Sequence, residues 1–256
     1  MEKRTFQQQV QVKKFFDSIS EKYTARYEKN TFLKYFFQQR LQVATTGFNF
    51  DQKRILDIGA GTGALFQFLK TNTHNLKYFG TDISEKMLQQ SGIPKSDYFV
   101  GNISELPPQQ KFDFIFLLGV TTYFSKQELK KHLDFIDKNL TKDGYAVISF
   151  TNKNSFDFRL RQILKKIISI FRWKKKVIGQ SFKIFAYPIA EIEQLITPTF
   201  LIEKKSFLNQ TIFPFNRLFP KTSISFGNFL KKNISSNTIL SWMSSDYLVF
   251  LKKIGN

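Results

Sequence analysis

The run Ile55-Leu-Asp-Ile-Gly-Ala-Gly-Thr-Gly63 decides the fold. Ile55, Leu56 and Ile58 read as a buried strand, and three alternate glycines lead into Ala64-Leu-Phe-Gln-Phe-Leu69, which has helical character. Glycines at such a turn let the backbone approach a ligand closely, and the free N–H groups at the helix start accept an anionic or polar group. With Ala64 the run also satisfies G-x-G-x-x-G/A, a weak signal on its own. Asp57 sharpens it. A carboxylate inside an apolar strand is unfavourable unless it meets a cation, so a positively charged ligand group is expected beside the loop. Nicotinamide and flavin fingerprints usually have a small or apolar residue there, since their ligand brings phosphates.

Outward from this run, strand and helix signals alternate. Leu76 to Asp82 reads as a strand, Glu85 to Gln90 as a helix, and Asp97 to Val100 and Phe112 to Leu118 as strands. Lys126 to Leu140 follows as a helix and Tyr145 to Phe150 as a strand. Such alternation means a parallel sheet wrapped by helices. Upstream, roughly 8 to 47, Val12, Phe15, Phe16 and Ile19, and then Phe32, Phe36 and Leu41, recur at helical spacing. Downstream come a helix at Ile189 to Ile196 and strands at Phe200 to Phe207 and Asp246 to Leu251.

Two further residues lie where such a sheet presents ligands. Asp82 closes the second strand, where a carboxylate can take both hydroxyls of a ribose. Asn102-Ile103, just past the third strand, is positioned to meet a base edge. The ligand these positions describe has a ribose and an amine.

These segments resemble the class I S-adenosylmethionine-dependent methyltransferases. LDIGAGTG looks like their first motif, GTDISEKML like their ribose-binding second strand and YFVGNISELP like their adenine-edge segment. KFDFIFLLGVTTYF looks like their fourth strand and NLTKDGYAVISF like their fifth, with Asp143-Gly144 as the turn. The resemblance implies an α/β fold: a Rossmann-like seven-stranded, mostly parallel sheet flanked by helices, with an N-terminal helical lid and a helical insertion after the fifth strand. It implies S-adenosyl-L-methionine as cofactor, with Gly59, Ala60 and Gly61 under its methionine part and Asp57 near its ammonium. Asp82 would bind the ribose, Ile83 and Met87 pack on the adenine, and Asn102 with the Ile103 backbone read the adenine edge. Leu118 and Gly119 would line the cleft beside the sulfonium. Asn102 departs from the more usual Asp, but its amide oxygen can still accept from an adenine amino group.

The N-terminal FFDSISEKYTARYE, with QQR at 38 to 40, is similar to the lid of small-molecule members, including the magnesium-protoporphyrin O-methyltransferase type. Lid tyrosines there cover the cofactor carboxylate or face the acceptor, which nominates Tyr23 and Tyr27; packing of the cap is the other reading. After the fourth strand Thr122 stands where many relatives carry a histidine base, leaving Tyr123 and Tyr27 as the catalytic candidates. Leu117-Leu-Gly-Val120 replaces the [DN]-P-P-[YF] tetrapeptide of amino-directed relatives, which favours a hydroxyl acceptor. His74 and His132 read as surface or packing residues with no second ligand at metal spacing, so no metal is expected.

The chain reads as one domain, 1–256, with 1–50 a helical cap, 51–150 the cofactor-binding core, 151–190 a basic helical insertion and 191–256 the C-terminal part of the sheet. The formal charge of +19 is uneven: +5 over residues 1–50, +1 over 51–150 and +13 over 151–256. Abundant Lys, Asn, Ile and 31 Phe also look like the codon bias of an AT-rich genome. The peak of charge, Arg159-LRQILKKIISIFRWKK-Lys176, projects as an amphipathic helix with Leu160, Ile163, Leu164 and Ile167 on its apolar arc. It reads as a helix packed on its own domain, as a basic interfacial helix at anionic lipid, or as a nucleic-acid contact. Placed beside the acceptor end of the cleft, it suggests a specificity lid for an acidic or membrane-borne apolar acceptor.

The expected activity is methylation of a small or lipid-like molecule. An RNA methyltransferase is disfavoured because no RNA-binding module is visible; a non-catalytic S-adenosylmethionine-binding protein is the third reading. An NAD-dependent oxidoreductase is opposed by Asp57. The absence of cysteine fits a reducing compartment, and neither a signal-peptide apolar region nor a run of ~20 apolar residues is present. A cytoplasmic protein is expected, peripheral at the membrane if the basic helix binds lipid.

Overall fold

A computed structural model describes residues 2–107, 111–171, 182–234 and 237–254. Its centre is a seven-stranded sheet: β1 Arg54–Ile58, β2 Lys77–Asp82, β3 Tyr98–Val100, β4 Phe112–Leu117, β5 Leu140–Thr151, β6 Phe200–Leu208 and β7 Asp246–Lys253. The strand order is β3-β2-β1-β4-β5-β7-β6. The first five strands pair in parallel, and β7 lies antiparallel between β5 and β6.

Both faces of the sheet are covered, which is why its strands read as nearly continuous apolar runs. Leu56, Ile58, Ile115, Leu117 and Ile148 point to one core, closed by Leu129, Leu133 and Ile136 of α5 (Lys126–Asn139) and by Ile192 and Ile196 of α7 (Ile189–Ile196). Ile55, Phe114, Phe116 and Val147 point to the other, closed by Leu65, Phe66 and Leu69 of α3 (Ala64–Lys70), Leu88 of α4 (Glu85–Gln89) and Ala44 of α2 (Thr31–Thr45). Ile55, Leu56, Ile115 and Leu117 are fully buried, each contributing about 1.5–3 kcal/mol by leaving water.

Helix starts follow local chemistry. Asn30 caps α2 by accepting from the Leu33 N–H, and Ser84 caps α4 by accepting from the Met87 N–H. Ser125 and Glu128 form a reciprocal capping box on α5. α1 (Glu2–Lys29) lies across the sheet's C-terminal edge, held to α4 by a 2.6 Å hydrogen bond from the Ser84 hydroxyl to Asp17.

The structure corrects the sequence reading in three places. β5 begins at Leu140, paired with Phe112, and the expected Asp143-Gly144 turn is instead a bulge before Tyr145 pairs with Phe114. Between β6 and β7 stand three helices that the sequence reading left without structure: α8 Phe215–Leu218, α9 Pro220–Asn233 and α10 Asn237–Met243. The basic stretch forms α6, Phe156–Phe171, but its apolar arc is not all packed inward: Ile163 is 55% and Ile167 45% exposed. Residues 172–176 of that stretch lie outside the described residues. Among the described residues no helix is long and apolar enough to cross a membrane.

Candidate active site

β1 and β4 are neighbours where the strand order reverses, the place at which an open parallel sheet leaves a crevice. A cavity of about 370 Å³ opens there. The residues expected to hold the cofactor line it: Asp57, Gly59, Ala60 and Gly61 from β1 and its loop, and Asp82, Ile83 and Met87 from the β2–α4 connection. Asn102, Ile103 and Leu118 form the adjoining walls, and Tyr23, Tyr27 and Tyr123 the aromatic side opposite.

The glycines are dictated by contact. Gly59 has φ +79°, and a Cβ there would lie 2.1 Å from Val120 Cγ1; Gly63 has φ +73°, and a Cβ would lie 2.3 Å from the Ser91 carbonyl oxygen. At Gly61 a Cβ would meet only Met87 Cε, at 3.5 Å, on the cavity side. The loop is thus fixed by its first and third glycines and kept thin over the cavity by its second.

Asp57 is buried, and its partner within the fold is a neutral group. Ile55 stands opposite Tyr78 in the parallel register, so Asp57, two residues on, shares that face, and the Tyr78 hydroxyl donates to it at 2.5 Å. Burial pushes the Asp57 carboxyl up to about 7; the Tyr78 hydrogen bond works against this and the nearby Asp82 charge adds to it. The expected cation is therefore not supplied by the protein.

Asp82 accepts from the Gly61 N–H at 2.9 Å and from the Ser84 N–H at 2.8 Å, so it holds the glycine loop while lining the cavity. Desolvation raises it to about 6 despite those bonds. The Asn102 amide oxygen accepts from the Ser104 N–H at 3.3 Å, closing its own turn, and keeps a second lone pair. Of its groups the backbone N–H is also engaged, donating to Glu105 at 3.0 Å.

The lid is an aromatic cluster. Tyr23 meets Tyr27 with ring centroids 4.7 Å apart, Phe16 meets Tyr123 at 5.4 Å, and Tyr27 meets Phe37 at 4.0 Å. Desolvation pushes the Tyr123 hydroxyl up to about 12 and Tyr23 well above its ordinary value, so each is a donor near neutral pH. Thr122 is used structurally, donating to the Phe185 carbonyl at 3.2 Å.

Two cavity residues escaped the sequence reading. Arg40 is 8% exposed, its guanidinium carbon stands 4.5 Å over the Phe36 ring, and its Nε has no partner. It reaches the β4 loop closely enough that a Cβ on Gly119 would lie 2.6 Å from Nη1. His132 is buried against Phe124, ring centroids 4.0 Å apart. Its Nδ1 lies 2.7 Å from the Glu128 carbonyl oxygen, which can only accept, so Nδ1 carries the proton and Nε2 keeps its lone pair. Burial lowers this histidine to about 4. Packing was the expected role; lining the cavity was not. Among the described residues no cluster of three or more His, Asp or Glu could hold a metal ion.

Residues 56–146 match the family model described as a methyltransferase domain. Comparison with the curated proteins finds no match. Among solved structures, the chain is similar to magnesium protoporphyrin IX methyltransferase of Synechocystis PCC 6803 with bound SAH, at 14% identity and TM-score 0.65, over 96% of this chain and 100% of that one. It is similar to the N-methyltransferase NodS of Bradyrhizobium japonicum WM9 in complex with S-adenosyl-L-homocysteine, at 13% identity and TM-score 0.54, over 89% and 90% of the two chains. A SAM-dependent methyltransferase of Archaeoglobus fulgidus shares 16% identity, with TM-score 0.56, over 89% and 96%.

Proposed function

We propose that the chain is a class I S-adenosylmethionine-dependent methyltransferase, as the methyltransferase-domain match over residues 56–146 supports, and that its acceptor is a small or lipid-like, largely apolar molecule methylated on a hydroxyl oxygen. The observation that carries this reading is the cavity itself, with the glycine loop and two carboxylates on one side and an aromatic wall on the other.

The bound cofactor supplies an activated methyl group on a sulfonium. The residues present fit such a ligand: Asp57 is a buried carboxylate lacking a cation, and Arg40 is a buried guanidinium with an unpartnered nitrogen. In this reading Asp57 meets the ammonium, Arg40 the carboxylate, and Asp82 the ribose, while Ile83, Met87 and Ile103 pack on the base with Asn102 at its edge. Leu118 stands beside the sulfonium.

Alignment of donor and acceptor contributes most, up to about 7–11 kcal/mol in well-oriented reactions. The aromatic wall of Phe16, Tyr23, Tyr27 and Tyr123 excludes water and orients an apolar acceptor. A hydroxyl acceptor also loses a proton. Tyr123, Tyr27 and His132 all line the cavity, which supports the tyrosine hydroxyls as donors to the acceptor and His132 Nε2 as the candidate to receive its proton, with a basicity that burial reduces.

Calorimetry with S-adenosylhomocysteine, followed by transfer of a labelled methyl group into an organic-extractable lipid fraction, tests the reading. Micromolar binding and label in that fraction are expected. Label found only in RNA or protein would overturn the acceptor class, and absence of binding would overturn the whole reading.

A further inference from the structure

The helices that follow β6 concentrate exposed large apolar side chains, the kind of surface that marks an interaction site. On α8, Phe215 and Leu218 are 57% and 64% exposed, and Phe219, at the joint with α9, is 60% exposed. On α9, Gly227 and Leu230 face inward, Gly227 against Gln210, which turns Phe226 and Phe229 outward. On α10, Ile239 and Trp242 sit three residues apart and are about half exposed. These helices adjoin α6: Trp242 packs on Phe156 with ring centroids 5.1 Å apart, and Arg161 of α6 and Arg217 of α8 both stack on Phe213. Ile163 and Ile167 therefore extend the same side.

The charge on this side has one sign. Residues 204–245 contain six Lys and Arg and no Asp or Glu. The acid of α6, Asp157, is buried and paired with Arg161 at 2.6 Å. Arg159, Lys165, Lys221, Lys231 and Lys232 are exposed around the apolar residues.

This side also adjoins the site. A second cavity of about 440 Å³ is lined by Phe158 and Arg161 of α6 and by Arg217 of α8. Leu33, Phe36, Thr151 and Asp246 line both cavities, so the second abuts the first and these side chains stand between the exposed helices and the aromatic wall.

We propose that α6, α8, α9 and α10 seat the protein on an anionic lipid bilayer, and that its acceptor enters from the bilayer through the second cavity; the entry route rests on the lipid-like acceptor proposed above. Charge and shape select this occupant. A second copy docked through the same side would set basic against basic. A nucleic acid would use the phosphate contacts and could stack on Phe215, Phe219, Phe226, Phe229 and Trp242, but it leaves the aliphatic Leu218, Ile239, Ile163 and Ile167 facing water. A bilayer takes both: aromatic and aliphatic side chains enter the headgroup boundary while Lys and Arg meet anionic phosphates.

Sedimentation of the full chain with vesicles of phosphatidylcholine alone, and of phosphatidylcholine with phosphatidylglycerol, tests it. Two variants accompany it, Phe226→Ser with Phe229→Ser, and Lys221→Gln with Lys231→Gln and Lys232→Gln. The wild type is expected on the phosphatidylglycerol vesicles, each variant binding on the order of 10- to 100-fold more weakly, with S-adenosylhomocysteine affinity unchanged as the control for folding. Equal partition onto both vesicle types, or variants that bind like the wild type, would overturn the proposal. So would loss, in the variants, of a self-association or an RNA retention shown by the wild type without vesicle binding. Failure of the wild type to bind S-adenosylhomocysteine would count against the methyltransferase reading alone and leave the vesicle result standing.

Discussion

The Tyr78 hydroxyl donates a 2.5 Å hydrogen bond to Asp57, across two parallel strands and beneath the glycine loop. Among the described residues it is the group found bonded to this buried carboxylate, and Asp57 sits at about 7 where a loop acid in water would be near 4. A cationic ligand favours the ionised form, so binding of S-adenosylhomocysteine should strengthen between about pH 6 and about pH 8, with proton release at the lower end. Tyr78→Phe should move this rise to higher pH, weakening binding at neutrality and least so above about pH 9. Calorimetry in buffers of different ionisation enthalpy measures both, and a flat profile would contradict the assignment of Asp57.

Stability of the ligand-free protein should run the opposite way. Asp57 at about 7 and Asp82 at about 6 both hold protons that the unfolded chain has released above about 4. Between those limits the folded state binds more protons, so stability falls as pH rises from about 4 to about 7. Asp57→Asn should remove much of this slope and raise the melting temperature at pH 8, by roughly 2–4 °C per kcal/mol for a domain of this size, while abolishing cofactor binding. Thermal melts across pH check it.

The three glycines should fail differently. Gly59→Ala and Gly63→Ala place a Cβ against Val120 and the Ser91 backbone, at positive φ, and should destabilise the fold by about 1–3 kcal/mol or more. Gly61→Ala meets only the end of Met87, so it should fold with a loss of about 1–2 kcal/mol yet bind S-adenosylhomocysteine weakly. Denaturant unfolding beside calorimetry separates the two outcomes.

Arg40→Lys tests the buried guanidinium. A lysine keeps the charge but loses the planar stacking on Phe36 and the fork that suits a carboxylate. Affinity for S-adenosylhomocysteine should fall by about 10- to 100-fold, with little change for adenosine, which has no carboxylate. Equal losses for both ligands would remove Arg40 from the proposed role.

His132→Phe should lower turnover by about 100-fold or more with cofactor affinity unchanged, if proton acceptance at Nε2 is its contribution. Because burial holds this histidine at about 4, it stays neutral through the working range, and no acidic limb near pH 6.5 should come from it. Pre-steady-state transfer measured from about pH 6 to about pH 9 reads both.

The β-α core was legible because β1, β4 and most of β5 bury both faces and so stand out against the Lys-rich background. Asp57, Asp82 and the glycines were legible because their chemistry is local to one turn. Tyr78 was not, since its meeting with Asp57 depends on the β1–β2 register and as a strand residue it looks like any aromatic. Arg40 was legible only as part of the QQR of the lid: its burial is created by Phe36, Phe37 and the distant Gly119 loop, and an arginine beside Gln38, Gln39 and Gln42 reads as solvated. α8 to α10 escaped because their large apolar residues Phe215, Phe226, Phe229 and Trp242 lie on exposed sides while Asn216 and Gly227 are buried, which inverts the contrast that marks an amphipathic helix.

Gln8 fastens the first helix with one side-chain amide: its Nε2 donates to the carbonyls of Tyr123 and Lys183, and its Oε1 accepts from the Lys183 N–H. Two of these bonds are at the surface, where water replaces them as they break. Lifting the roof of the cavity would expose these amide groups to water and would also break the Ser84–Asp17 and Gln9–Glu128 hydrogen bonds and the edge-on packing of Phe15 on Phe182 and Phe16 on Tyr123. Admission of a ligand beneath the first helix would thus turn on side-chain contacts rather than on the backbone ladder of the sheet.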